Sequence, residues 1–259
     1  MKTFPFLLAC FTAVLGFASG LSAAEPAADT RVFELRTYTA TPGNLDKVLA
    51  RFRDHTLEIF ARHGMENIAY WVPADAKDGA GEKLVYLIAH KSRDAATANW
   101  AAFRADPEWK AVSAASEANG KIVAKTESVF IAATDFSPMP RAGVAPGAPR
   151  VFELRTYTTP EGKLAALDAR FRGRERALFT NAGMGHFGYF HPLDADKGAG
   201  HTLVYVLVHA NRDAATESWK KFRADPEWIA LKAETEKDGS LTTKTESVFL
   251  TPVDFSPTK

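Results

Sequence analysis

Arg31-Val32-Phe33-Glu34-Leu35-Arg36-Thr37-Tyr38-Thr39 occurs twice in this chain. Residues 150–158 repeat it letter for letter, 119 positions later. The match continues without a gap on either side of the chain's middle. Residues 31–138 laid on 150–257 give 56 identities in 108 positions. An internal duplication of this length dictates two structural units of one design. Within the stretch, Phe33, Leu35 and Thr37 alternate with Glu34, Arg36 and Tyr38, the period-two pattern of a β-strand.

Working outward, each copy reads β-α-β-β-α-β. After the first strand, Val32–Thr39, a turn at Pro42-Gly43 leads into Leu45, Val48, Leu49, Phe52, Leu57, Ile59 and Phe60 at helical spacing, with Gly64 as the stop. Asn67–Val72 reads as a second strand, Pro73–Glu82 as a hairpin loop and Leu84–His90 as a third strand. Asp94 is placed to cap the next helix. Asp106-Pro107-Glu108-Trp109 starts a further one, with a capping Asp and Pro in the first turn. Gly120 ends it, and Ile122–Ile131 is the fourth strand. Residues 150–257 restart the same order. Between the copies, residues 139–149 read MPRAGVAPGAP, a Pro/Gly-rich linker with no regular structure.

This order is the ferredoxin-like split βαβ arrangement, an α+β fold with helices on one face of its sheet. The other face needs cover, and the second copy supplies it. Two tandem ferredoxin-like repeats packed sheet to sheet, as an intrachain α+β barrel, are therefore expected.

Composition narrows the function. Lys and Arg number 32 against 31 Asp and Glu, a balance that gives no support for nucleic-acid binding, which needs a basic face. Residues 1–24 have the form of a signal peptide: Lys2, an apolar run from Phe4 to Phe17, and Ser22-Ala23-Ala24 before Glu25. Export to a periplasmic or extracellular location is expected, with no stable membrane span in the mature chain. Cys10 is the only cysteine. A chain cleaved near Ala24 has no disulfide, thiol nucleophile or thiolate metal site. No histidine pair has a firm metal spacing and HExxH is absent, so no metal is expected. There is no phosphate loop and no nucleophile elbow. Homo-oligomers remain open.

The Glu-Leu-Arg-Thr-Tyr stretch, followed by a Pro/Gly turn and an amphipathic helix, resembles the NIPSNAP family. So does the later segment of Trp100 followed by Arg104-Ala105-Asp106-Pro107-Glu108-Trp109. The resemblance spans both copies and implies the dimeric α+β barrel superfamily, whose members include small monooxygenases, haem-binding enzymes and binding proteins. It transfers no catalytic residue.

Candidate residues come in pairs. Glu34, Arg36 and Tyr38, with Glu153, Arg155 and Tyr157, are expected to enter the barrel interior and dock the repeats through ion pairs; the other reading is a polar cavity for a small ligand. The ligand candidates are Tyr86, His90, Trp100, Arg104 and Trp109, and in the second copy Tyr205, His209, Trp219, Arg223 and Trp228. The tryptophans could hold a flat molecule or pack as core. The arginines could grip a carboxylate or pair with Asp106 and Asp225. His90 or His209 would be the axial ligand if haem were bound, although no cofactor is predicted. The expected role is binding of a small apolar or aromatic ligand or a protein partner. The alternative is an oxygenase or isomerase using Tyr86 and His90.

Overall fold

A computed structural model describes Met1 and residues 29–143 and 150–259. The expected signal peptide and residues 144–149 of the linker lie outside the described residues. Each repeat folds in the order read from its sequence. In repeat one these are β1 (Val32–Ala40), α1 (Leu45–Arg51), α2 (Leu57–Arg62), β2 (Glu66–Pro73), β3 (Lys83–His90), α3 (Arg93–Ala105), α4 (Pro107–Ser116) and β4 (Val123–Ala133). Repeat two follows with β5 (Val151–Thr158), α5 (Leu164–Arg170), α6 (Arg176–Asn181), β6 (Gly185–Pro192), β7 (Thr202–His209), α7 (Arg212–Ala224), α8 (Pro226–Thr235) and β8 (Lys244–Pro252). The single helix expected between the first two strands is broken in both repeats by one π-helical turn, Phe52–Thr56 and Phe171–Glu175. At the helix exit, Gly64 holds φ 78°, which a side chain would disfavour.

Capping follows the sequence with one correction. Asp106 accepts hydrogen bonds from the Glu108 and Trp109 amides at 2.7 and 3.2 Å. Asp94, however, does not cap α3. Ser92 does, accepting from Ala95 N at 3.1 Å, and Asp94 sits inside the first turn. The cap must precede the first helical residue, and the helix begins one residue before Asp94.

The eight strands close into one barrel in the order β1-β3-β2-β8-β5-β7-β6-β4. Closure comes from two short antiparallel seams between repeats. Trp71, Val72 and Pro73 pair with Pro252, Thr251 and Leu250; Ile131, Ala132 and Ala133 pair with Pro192, His191 and Phe190. Closing the sheet removes the exposed edges that four-stranded sheets would carry.

One apolar cluster, drawn from all eight strands and no helix, fills the interior. Phe33, Trp71, Phe152, Phe187 and Phe190 dominate it. Phe33 meets Phe190 at 5.3 Å and Trp71 meets Phe152 at 5.4 Å, both across the repeat boundary. Two further clusters lie between the sheet and the helices, one per repeat. The interior is therefore lined by the Phe33/Leu35 side of β1. The expectation that Glu34, Arg36 and Tyr38 with Glu153, Arg155 and Tyr157 dock the repeats inside the barrel is overturned. These residues face the helices of their own repeat. An apolar set was available on the other face, and burying it is favourable, whereas charges inside would have to be desolvated.

Docking also uses segments past the last strand of each repeat. Asp135-Phe136-Ser137-Pro138 and Asp254-Phe255-Ser256-Pro257 are identical, and each crosses to the other repeat. Phe136 joins the core of repeat two, and Val253 and Phe255 that of repeat one. Ser137 Oγ accepts from Tyr189 N, and Ser256 Oγ from Tyr70 N, both at 2.9 Å. Arg172 binds Asp135 at 2.6 Å and Arg53 binds Asp254 at 2.9 Å. Among the described residues, no helix is long and apolar enough to cross a membrane.

Because Phe136 is buried in the opposite repeat, Phe136→Ala is expected to lower the stability of the whole chain by about 3 kcal/mol. The loss should appear in urea unfolding as one shifted transition. A separate early transition for one repeat would show that the exchange does not couple them.

Candidate functional site

β1 builds the site on its outer face. Its pairing with β3 sets Arg36 opposite Tyr86, and its pairing with β4 sets Arg36 opposite Ser128 and Glu34 opposite Phe130. Residues opposite each other in an antiparallel pair share a face, so these side chains converge under α3.

Glu34 is the centre. It is 1% exposed, and four side chains hold its carboxylate. Oε2 accepts from Trp100 Nε1 at 2.7 Å and from His90 Nε2 at 3.2 Å. Oε1 accepts from Ser128 Oγ at 2.5 Å and from Arg36 Nη1. Asn99 Nδ2 donates to His90 Nδ1 at 3.3 Å, which fixes the Nε2–H tautomer that points at Glu34. Arg36 Nε donates to Tyr86 OH at 2.8 Å, and its guanidinium lies 4.4 Å from the Trp100 ring centre.

Repeat two reproduces the arrangement. Glu153 accepts from Trp219 at 2.7 Å, His209 at 2.9 Å, Ser247 at 2.7 Å and Arg155 at 2.5 Å. Arg155 donates to Tyr205 at 2.9 Å and sits 4.3 Å from Trp219. One partner changes. Ser218 stands at the Asn99 position, and the buried Nδ1 of His209 has no partner.

The electrostatics follow from burial opposed by donors. Burial alone would raise the Glu34 carboxyl; His90, the Arg36 charge, Ser128 and Trp100 outweigh it and hold it at about 2. Glu153 is held at about 2 by the corresponding set. Burial lowers the Arg36 and Arg155 guanidiniums, but the tyrosines and the glutamate reverse this and raise them. Burial pushes the Tyr86 and Tyr205 hydroxyls well above their ordinary value. The site is a fixed ion pair.

A cleft of about 530 Å³ opens over each ion pair. Trp100, Phe103 and Trp109 form one wall in repeat one, Glu34, Arg36 and Tyr38 the floor, and Arg104 stands at the exposed rim. Trp219, Phe222, Trp228, Glu153, Arg155, Tyr157 and Arg223 correspond in repeat two. The cleft mouth is completed across the repeat boundary. Arg93 stacks on Phe130 at 3.6 Å and binds Asp194 of repeat two at 3.0 Å. Arg212 stacks on Phe249 at 3.5 Å and binds Asp75 of repeat one at 2.8 Å.

The sequence candidates thus divide. Trp100, Arg104, Trp109, Trp219, Arg223 and Trp228 line the clefts, together with the Glu-Arg-Tyr triplets assigned to docking. Tyr86, His90, Tyr205 and His209 are sealed behind them. Both ring nitrogens of His90 are engaged and its side chain is fully enclosed, so it does not fit an axial haem ligand. His209 is equally enclosed. Asp106 binds Arg62 and His63 instead of Arg104. Among the described residues Arg104 and Arg223 form no ion pair. Sequence reasoning missed Ser128, Arg93, Phe130 and their counterparts. Their signal was present, since Arg93 and Ser128-Val129-Phe130 recur at the same 119-residue offset.

Two outcomes follow from this geometry. Arg36→Ala should cost roughly 3–5 kcal/mol because Glu34 stays buried without its counter-charge; calorimetry that shows an unchanged Tm would contradict the pairing. Both carboxyls are lower in the folded chain than in an unfolded one, near 4.5. Their contribution is therefore complete above pH 4.5 and lost as pH falls toward about 2. Unfolding free energy should drop steeply in that window, and more gently in Glu34→Gln/Glu153→Gln.

The NIPSNAP family model matches residues 33–138 and 152–257. Among solved structures, a "putative monooxygenase" from Lactobacillus acidophilus superposes with a TM-score of 0.56 at 12% identity, over 86% of this chain and 94% of its own. A second "putative monooxygenase", from Fusobacterium nucleatum, gives 0.53 at 9% identity over 87% and 93%. An anthrone oxidase-like protein gives 0.51 at 15% over 87% and 92%. At these identities the likeness is one of fold. No curated protein matches the chain.

Proposed function

The chain belongs to the NIPSNAP family, and we propose that each of its two clefts binds a small aromatic carboxylate. The observation that carries this reading is Arg104, duplicated as Arg223: a guanidinium that has no ion-pair partner among the described residues, at the rim of an aromatic-walled cleft. The tryptophan and phenylalanine walls offer stacking surface to a flat ring. The rim arginine offers a planar fork to a carboxylate. The cleft volume falls in the usual range for small-molecule sites, which favours a small ligand over a protein partner. Export, expected from residues 1–24, is part of the same reading: an exported protein that captures or carries its ligand.

The oxygenase alternative draws on the names of the two superposed monooxygenases and on Tyr86 with His90. That pair lies behind Glu34, out of reach of a ligand in the cleft. The carboxylate that does reach the cleft is fixed by four donors and charged throughout the neutral range. Binding needs such rigidity; general acid–base chemistry needs a group that titrates near the working pH.

Titration with 1-naphthoate, followed by tryptophan fluorescence and calorimetry, should show two sites per chain. Arg104→Ala should weaken one site at least tenfold, Arg223→Ala the other, and the double variant both. Absence of saturable binding, or unchanged affinity in the double variant, would overturn the reading.

A further inference from the structure

At one of the buried places where the two repeats differ, the difference exposes an unmet need. Arg170 of repeat two is enclosed between α5 and α8 and meets two carboxylates. Its Nε donates to Glu175 Oε2 and its Nη1 to Glu236 Oε1, both at 2.8 Å. Arg51 is its counterpart in repeat one, equally buried, and its Nη1 keeps the equivalent partner, Glu117, at 3.2 Å. At the Glu175 position, however, repeat one has Thr56, whose hydroxyl donates to the carbonyl of Arg51. Arg51 Nε is left buried with no acceptor. An unmade hydrogen bond from a buried charged group is costly, and such groups are rarely left without an explanation.

Beside this arginine, repeat one opens a groove of about 710 Å³ between α1 and α4, distinct from the cleft under α3. Arg51 is one of its wall residues. Ala50, Ala111, Val112, Ala115 and Ile122 give it an apolar body, and Lys47 stands on its wall as a second cation. Asp54 also lines it, so net charge alone does not set its preference. At the equivalent positions repeat two has Ala166 for Lys47, Gly173 for Asp54, Arg174 for His55, Leu231 for Val112 and Glu234 for Ala115. Those changes move a cation and a carboxylate to new places and enlarge an apolar side chain on the wall. Repeat two supplies its arginine with a second acceptor from within, Glu175; repeat one has open space beside the arginine instead.

We infer that the α1–α4 groove of repeat one is a further binding site, for an amphipathic monocarboxylate whose headgroup serves Arg51 and whose apolar body lies along Ala50, Ala111 and Ala115. The orphaned donor selects an acceptor. The Glu175 carboxylate of repeat two identifies the kind of acceptor that this arginine takes. The small side chains of the wall select a slender apolar body, unlike the flat ring that suits the tryptophan-walled clefts.

The test uses the full chain and decanoate, with decanol and acetate as probes of body and head alone. Calorimetry should give one decanoate site whose affinity exceeds that for decanol or acetate at least tenfold. The Arg51 Nε–H signal in ¹⁵N NMR should move on saturation. Thr56→Glu, which installs the internal carboxylate of repeat two, and Ala115→Glu, which places one on the exposed wall, should each weaken decanoate at least tenfold. Both should leave 1-naphthoate binding unchanged. An unmoved Arg51 Nε–H signal, or decanoate affinity retained in both variants, would overturn the inference. If Thr56→Glu fails to fold, Ala115→Glu on an exposed position decides alone.

Discussion

A carboxylate cannot leave water unless its charge is met, and each repeat here is arranged around one that has left it. Glu34 draws donors from β1, β3, β4 and α3, so all four elements must be in register before the charge is satisfied. Buried ion pairs seldom add much net stability over an apolar core. Their effect is on uniqueness: a one-residue slip of β1 would bring Glu34 into the apolar barrel and carry Phe33 out. The Glu-Leu-Arg-Thr-Tyr stretch is repeated without change because every second side chain in it takes part in that network and the ones between form the barrel wall.

The duplication, the element order and the α+β barrel were legible from the sequence, because identity at a fixed offset and period-two alternation both survive without coordinates. What could not be read was which face of β1 turns inward. Both faces are buried, one by the barrel and one by the helices, so alternation marked two surfaces without ranking them. Charge suggested a docking role; apolar area decided otherwise, since Phe33, Phe152 and their neighbours fill the interior more favourably than ions would. Of the two roles open to Arg104, pairing with Asp106 is excluded for a local reason. Asp106 is occupied as a helix cap and by Arg62 and His63, which leaves the arginine at the cleft rim.

Of the site, the tryptophans and rim arginines were visible as repeated residues, whereas the depth ordering was not. His90 and Tyr86 share a face with the cleft residues, yet α3 and Glu34 cover them. Burial order within one face depends on where a helix lands, and helical periodicity in the sequence does not fix that position. Arg51 is the opposite case. Its need for an acceptor appears only when the two repeats are compared in three dimensions, although the Thr56/Glu175 substitution stands openly in the sequence.

The crossed Asp-Phe-Ser-Pro segments bear on synthesis. Repeat one leaves the ribosome first, but its core lacks Val253 and Phe255, and Tyr70 N lacks the Ser256 hydroxyl, until residues 253–256 have emerged. The lag from the end of its own last strand is more than a hundred residues, on the order of ten seconds of translation at ordinary elongation rates. For that interval β2 and β4 are unpaired sheet edges, open to any other nascent strand. Closure of this barrel therefore waits for the second repeat even though all its parts lie on one polypeptide.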